Sequence, residues 1–142
     1  MPVATPSPSR WAALALTLTL VELILTTAYI HLSLGGLLFT LNAVGYALLA
    51  LGIAAATIPH PLVQRVSWVP RVGLAAFTAV TIGAYLVIGP YFNLGWVAKA
   101  VEVAILTLLA ADTVRVYGSL GGLARAATNT FRTDGRSPMR TA

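Results

Sequence analysis

The sequence predicts an all-α membrane protein, a bundle of four transmembrane helices joined by short outer turns. Of its 142 residues, 58% are hydrophobic and only 9% are charged, whereas soluble domains carry about 25% charged residues. Four apolar stretches are each long enough, at about 17–25 residues, to cross a bilayer as a helix. The chain contains no cysteine, which excludes disulfides, thiol catalysis, iron–sulfur clusters and thiolate zinc sites.

The first half of the chain is predicted to hold two of these helices. Residues 1–10 are rich in Pro and Ser and are expected to form a disordered N-terminus. Helix 1 covers about residues 11–33. Its apolar run is longer than the 7–15 residues of a signal-peptide core and contains Glu22, so we expect an uncleaved span. Helix 2 covers about residues 37–58 and is stopped by Pro59-His60-Pro61, since proline denies a helix both its donor and its geometry.

The second half is predicted to complete the membrane domain, which spans residues 11–117. A polar loop is expected up to Arg71, and helix 3 follows over about residues 72–88. Helix 4 covers about residues 95–116. Residues 118–142 turn to Gly, Ser, Thr and Arg, which predicts a basic, mostly disordered tail.

The basic residues predict the orientation of the bundle. Eight of the nine lie before helix 1, between helices 2 and 3, or at and after the end of helix 4: Arg10, Arg65, Arg71, Arg115, Arg125, Arg132, Arg136 and Arg140. The two other turns carry no charge. By the positive-inside bias, both termini and the middle loop face the cytoplasm of a bacterial-type plasma membrane. The formal charge of +5 is then explained by topology and by attraction of the basic tail to anionic lipid heads, and not by nucleic acid.

Helix 4 carries the ninth basic residue, Lys99, together with Glu102 in an otherwise apolar run. Three residues apart on a helix, the two side chains lie about 60° apart and can form an ion pair. A charge at mid-membrane depth costs roughly 2.5–3.5 kcal/mol on insertion scales, so partners are required. Glu22 near the middle of helix 1 is a second intramembrane acid.

Polar faces on the other helices converge on the same depth if they point into the bundle. The predicted site, in the outer half of the membrane, is a candidate ligand- or proton-binding site. Its residues are Glu22, Tyr29, Asn42, Tyr46, Tyr85, Lys99 and Glu102. Two acids and one lysine leave an excess negative charge, which favours a protonated glutamate or a bound proton or cation. The alternative is a purely structural network in which Lys99 pairs with Glu22 and Glu102.

Three further residues receive simpler interpretations. His31 falls on the opposite side of helix 1 and is expected at the outer membrane interface. Asp112 and Arg115 are expected to form an interfacial pair. No haem, metal or other cofactor is predicted, because the two histidines of the chain lie a membrane thickness apart.

Four helices, a short chain and Glu22 resemble the small multidrug resistance transporters in outline, in which a helix-1 glutamate exchanges protons for cationic drugs. Lys99 beside the site would repel such a substrate, and we assign no family. The chain also lacks a nucleophile with an evident base, which argues against an enzyme. The sequence therefore favours a binding or transport protein. The alternative is an accessory subunit whose charges pair within the bundle, in a homo-oligomer or with a membrane protein partner.

Overall fold

The computed structural model describes residues 8–132 of the chain and is all-helical over that range. Its helices are α1 (Pro8–Leu34), α2 (Leu37–Ala55), α3 (Pro61–Val66), α4 (Trp68–Ile88), α5 (Asn93–Tyr117) and α6 (Leu120–Arg132). Four spans are long and apolar enough to cross a membrane: Ser9–Leu34, Leu37–Ala55, Pro61–Ile88 and Asn93–Tyr117. The predicted fold class is confirmed.

The four long helices form a square in cross-section. α1 packs against α2 and α5, and α4 packs against the same two helices, so α1 and α4 lie on a diagonal. Each helix contributes to one continuous apolar core: Leu20, Ile24, Ala28, Tyr46, Ala50, Ile53, Leu74, Ile105 and Leu109. We call the end with the α1–α2 and α4–α5 turns the hairpin end, and the end with α3 and α6 the terminal end.

The hairpin end is built from tight connections. Gly35 and Gly36 have φ angles of 70° and 82°, in the left-handed region that side chains with a Cβ rarely adopt. They reverse the chain between α1 and α2. On α2, a Cβ at Gly45 would lie 2.5 Å from the Phe77 ring of α4, so this glycine lets α2 and α4 approach closely.

At the terminal end, the structure differs from the predicted loop and tail. The expected loop before residue 72 instead contains α3 and the first turn of α4. Residues 120–132, expected to be mostly disordered, form α6, which packs against α3, α4 and α5. The Arg65 guanidinium donates to the Thr130 carbonyl over 2.9 Å, and the Trp68 indole N–H donates to the Thr130 hydroxyl over 3.2 Å. α1 already begins at Pro8, within the predicted disordered N-terminus. Residues 1–7 and 133–142 lie outside the described range.

Candidate functional site: a charged cluster beneath a cavity at the hairpin end

The site is organised around an ion pair within α5. Lys99 Nζ lies 2.6 Å from Glu102 Oε2, the pairing that their spacing predicts. The exposed fraction is 7% for Lys99 and 0% for Glu102. The ammonium also donates to the Thr81 carbonyl of α4 over 3.3 Å and lies 5.4 Å from the centroid of the Tyr85 ring. Both charged residues of the pair therefore belong to α5, and α4 supplies the neutral groups that contact the ammonium.

A hydroxyl network from α2 and α4 supports the carboxylate. The Thr81 hydroxyl lies 3.2 Å from Glu102 Oε2, 2.9 Å from the Thr78 carbonyl and 2.8 Å from the Tyr46 hydroxyl. A hydroxyl has one proton to donate. Since the carbonyl and the ionised carboxylate only accept, Thr81 shares its proton between them and accepts the proton of Tyr46. Tyr46, fully buried, thereby fixes the direction of the chain of bonds.

His31 completes the cluster from α1, in contrast to its predicted interfacial position. Its side chain is buried, and its ring centroid lies 5.6 Å from that of Tyr46. Nδ1 lies 2.8 Å from the Thr27 carbonyl. A carbonyl only accepts, so Nδ1 carries a proton, and in the neutral ring Nε2 is an acceptor. The tautomer of His31 is thus set by its own helix.

That tautomer leaves two acceptors facing each other. His31 Nε2 lies 3.7 Å from Glu102 Oε1, and this carboxylate oxygen has no hydrogen-bond partner among the described residues. If the imidazole or the carboxylate takes up another proton, the repulsion between the two acceptor lone pairs is replaced by an attraction. The cluster of His31, Lys99 and Glu102 is therefore a candidate proton-binding site.

A cavity of about 250 Å³ adjoins the cluster at the hairpin end. His31, Thr81 and Lys99 lie along its inner wall, and Asn42 and Tyr85 add two more polar groups. The rest of the lining is mostly apolar: Leu34, Leu38, Phe39, Val80, Ala84, Ile88, Pro90, Phe92 and Ala98, with Gly89 and Gly95. Such a cavity, apolar with a few convergent polar groups, is the usual form of a small-molecule site.

Five of the seven residues predicted for the site do lie at this cluster and cavity: Asn42, Tyr46, Tyr85, Lys99 and Glu102. The two from α1 do not. Glu22 is exposed on the outer surface of the bundle, and Tyr29 is 72% exposed beside it. The interpretation that Lys99 pairs with Glu22 is therefore wrong, because α1 turns the opposite face toward α5.

This correction changes the charge of the site. With Glu22 outside, the buried cluster holds one carboxylate and one ammonium, which balance, and a histidine that carries charge only when protonated. The excess negative charge expected from two acids is absent at this cluster, and with it the argument for a bound cation.

A second buried cluster lies at the terminal end. Asp112, predicted in an interfacial pair with Arg115, has an exposed fraction of only 1%. Its Oδ1 accepts from Arg115 Nη2, and its Oδ2 lies 2.9 Å from both Nε and Nη2 of Arg71. Arg71 was predicted in a loop; within the first turn of α4 it is instead directed into the bundle, with 5% of its surface exposed.

Among residues 8–132, no group of three or more His, Cys, Asp or Glu side chains is arranged to hold a metal ion. Comparison with protein-family models, with curated proteins and with solved structures finds no match to this chain. The function must therefore be argued from the site itself.

Proposed function

We propose that the protein is a membrane binding or transport protein that takes a small, largely apolar molecule with an anionic group into the hairpin-end cavity, together with a proton. The observation that carries the proposal is that Lys99 both lines the cavity and pairs with Oε2 of Glu102, whose Oε1 has no hydrogen-bond partner among the described residues. An ammonium has three N–H donors, and Lys99 uses two of them on Glu102 and Thr81. The third remains for a ligand.

The size and the walls of the cavity narrow the ligand class. Its volume of about 250 Å³ lies just below the ~300–1,000 Å³ of typical ligand pockets, which suits a molecule of a few carbon atoms. An anionic group beside Lys99 adds a negative charge to a balanced cluster. A proton taken up between His31 and Glu102 offsets that charge, which couples anion binding to proton binding.

Hexanoate and hexylammonium form a matched pair of probes, because they share an apolar tail and differ in the sign of the head. We expect hexanoate to raise the unfolding temperature of the detergent-solubilised protein, and to do so more at pH 5.5 than at pH 8, because the anion is proposed to bind together with a proton. Hexylammonium should leave the unfolding temperature unchanged. Ala84→Leu fills part of the cavity without touching the ion pair and should abolish the shift. An equal shift with hexylammonium, or an undiminished shift in Ala84→Leu, would refute the proposal.

The cellular placement is part of the same proposal. Arg65, Arg71, Arg115 and Arg125 lie at the terminal end, so the positive-inside bias supports a bacterial plasma membrane protein with that end, and both termini, in the cytoplasm. The hairpin-end cavity then faces the outer side of the membrane. The basic residues of α6 would lie close to anionic lipid heads.

A second candidate function, an accessory membrane subunit, is favoured by the exposed face of α1. Glu22, Thr26 and Tyr29 form a polar stripe in a shallow groove with Leu18, Val21 and Leu25. No side chain in the described part of the chain forms a hydrogen bond or ion pair with Glu22. A carboxyl group near the middle of a spanning helix fits a partner helix that presents a donor or a cation at the same depth.

The two functions predict different results. An accessory subunit should not respond to hexanoate. A photo-crosslinker at Leu25 should then give a crosslinked product that Glu22→Ala removes, whereas a crosslinker at Leu48, which is exposed on the outside of α2, should give none. The mass of the product distinguishes a second copy of the chain from another membrane protein.

A further inference from the structure

The terminal-end cluster contains more positive charge than its pairing requires. Two guanidinium groups, those of Arg71 and Arg115, share the single carboxylate of Asp112. Arginine stays protonated in proteins, so the cluster carries one excess positive charge. Arg71 and Asp112 balance each other in the buried pair, and the excess charge is that of Arg115, whose side chain is 38% exposed and accessible to an anion.

The arginines also retain hydrogen-bond donors. A guanidinium has five N–H donors. Arg71 donates one hydrogen bond to Asp112 and one to the Ser67 carbonyl at 2.7 Å, and its Nη2 lies 2.9 Å from Asp112 Oδ2 in the ion pair. Arg115 donates one hydrogen bond to Asp112. The Arg71 guanidinium is further held 5.6 Å from the centroid of the Tyr117 ring. These contacts fix the position of Arg71 and leave donors on both arginines for another acceptor.

Both arginines line a cavity of about 250 Å³. Its other walls come from α1, from the two residues that follow α2 and from α3, and no acidic side chain is among the lining residues in the described range. The neutral polar side chains that line the cavity already donate hydrogen bonds to backbone carbonyls, so they do not pair with the arginines. The hydroxyls of Thr17 and Thr57 donate to backbone carbonyls of their own segments, and the Gln64 amide N–H groups donate to the carbonyls of Ala56 and Ile58.

We propose that Arg71 and Arg115 form a binding site for a phosphate group in this cavity. Guanidinium groups match the oxygens of phosphate in pairs of hydrogen bonds, and two of them around one cavity complement its charge. Arg71 lies in the first turn of α4 and Arg115 in the last turn of α5, and the ends of spanning helices are where lipid head groups are expected. The phosphate would come from the head group of an anionic phospholipid or from a free phosphate in solution.

The depth and surroundings of the site agree with a membrane interface. α6 lies across the terminal end and leaves Leu120 and Phe131 exposed, while its arginine Arg125 is exposed on another side of the helix. A helix of this kind lies in the plane of the head groups. The site is independent of the hairpin-end cavity, and its failure would leave the proposed function untouched.

Arg115→Gln tests the site without breaking the buried pair of Arg71 and Asp112, since Arg115 is the more exposed partner. Arg125→Gln is the matched control, because it removes the same charge from α6 away from the cavity. Binding is measured by native mass spectrometry of the full chain in nanodiscs of phosphatidylcholine doped with phosphatidylglycerol. General attraction to anionic lipid is worth roughly a five-fold change in binding for any interfacial arginine, so we expect at most about that loss in Arg125→Gln. Arg115→Gln also removes charge-assisted hydrogen bonds to the phosphate, and we expect a loss of at least about ten-fold.

Inorganic phosphate distinguishes the two sources. If millimolar phosphate stabilises the wild type against thermal unfolding and displaces phosphatidylglycerol, the site takes a free phosphate. If phosphate does neither while the lipid remains sensitive to Arg115→Gln, the lipid head group is the ligand. Both results support the site. Equal losses in Arg115→Gln and Arg125→Gln would show general charge attraction only, and no preference of the wild type for phosphatidylglycerol over phosphatidylcholine would show no selective binding of the anionic lipid. Either result would overturn the proposal.

Discussion

Replacing Lys99 by Met removes one partner of the buried ion pair in α5 and should be strongly destabilising. Methionine keeps the length and the apolar stem of lysine, so the packing against Tyr85 changes little. Glu102 then retains only the Thr81 hydroxyl, at 3.2 Å, and faces the acceptor nitrogen of His31 across 3.7 Å. A fully buried carboxylate is left without a cation in hydrogen-bond contact.

The geometry sets the size of the effect. At 2.6 Å and an effective dielectric constant of about 20, the Coulomb attraction is roughly 6 kcal/mol. Desolvation of the two groups offsets part of this attraction. Removing one partner of a buried pair costs about 3–5 kcal/mol, because the other charge stays buried, whereas removing both is far less costly. We therefore expect about 3–5 kcal/mol for Lys99→Met. We expect Lys99→Met combined with Glu102→Gln to recover at least half of that loss.

The free energy of unfolding is measured by titrating mixed micelles with sodium dodecyl sulfate and following the circular dichroism. Glu22→Gln is the matched control for Glu102→Gln. It makes the same chemical change on the exposed face of α1 and should cost less than about 0.5 kcal/mol. A loss below about 1 kcal/mol for Lys99→Met, or losses that simply add in the double variant, would refute the reasoning that the two charges depend on each other.

Two further variants test the packing and the hydroxyl network. Gly45→Ala places a methyl group 2.5 Å from the Phe77 ring and should cost about 1–3 kcal/mol, whereas Gly83→Ala, with nothing within 4 Å of its Cβ, should be neutral or slightly stabilising in the same unfolding assay. Tyr46→Phe removes a buried hydrogen bond of 2.8 Å and should cost about 1–2 kcal/mol. Tyr29→Phe on the exposed face of α1 should cost almost nothing, and equal effects of the two tyrosine variants would contradict the placement of the network.

The missed residues of the candidate site share one cause. His31 and Glu22 lie on opposite sides of α1, as their nine-residue spacing predicts. The prediction that the Glu22 side faces the interior is wrong, because the His31 side does. α1 is apolar almost all round, so the periodicity of its residues shows which side chains share a face but does not show which face meets the neighbouring helices. The choice between Glu22 and His31 depends on packing against α2 and α5.

The missed helix α6 has a different cause, since its pattern was present in the sequence. At 100° per residue, Leu120, Leu123, Ala127 and Phe131 fall on one side of a helix, and Arg125 and Asn129 fall on the other. The abundance of Gly, Ser, Thr and Arg in this segment predicts disorder from composition alone, whereas the amphipathic period predicts a helix. The helix is held in place by its contacts with α3, α4 and α5 and by the Arg65 and Trp68 hydrogen bonds to Thr130.

The sequence by itself determined the number of membrane spans and the pairing of Lys99 with Glu102. These are local properties, set by the length of apolar runs and by the three-residue spacing of two charges on one helix. Only the tertiary structure decided that His31 meets Glu102, that Arg71 meets Asp112 and that Glu22 faces outward. Those contacts join residues far apart in the chain, and they depend on how each helix is rotated about its axis in the bundle. In a helix that is apolar on nearly every side, that rotation is set by its neighbours.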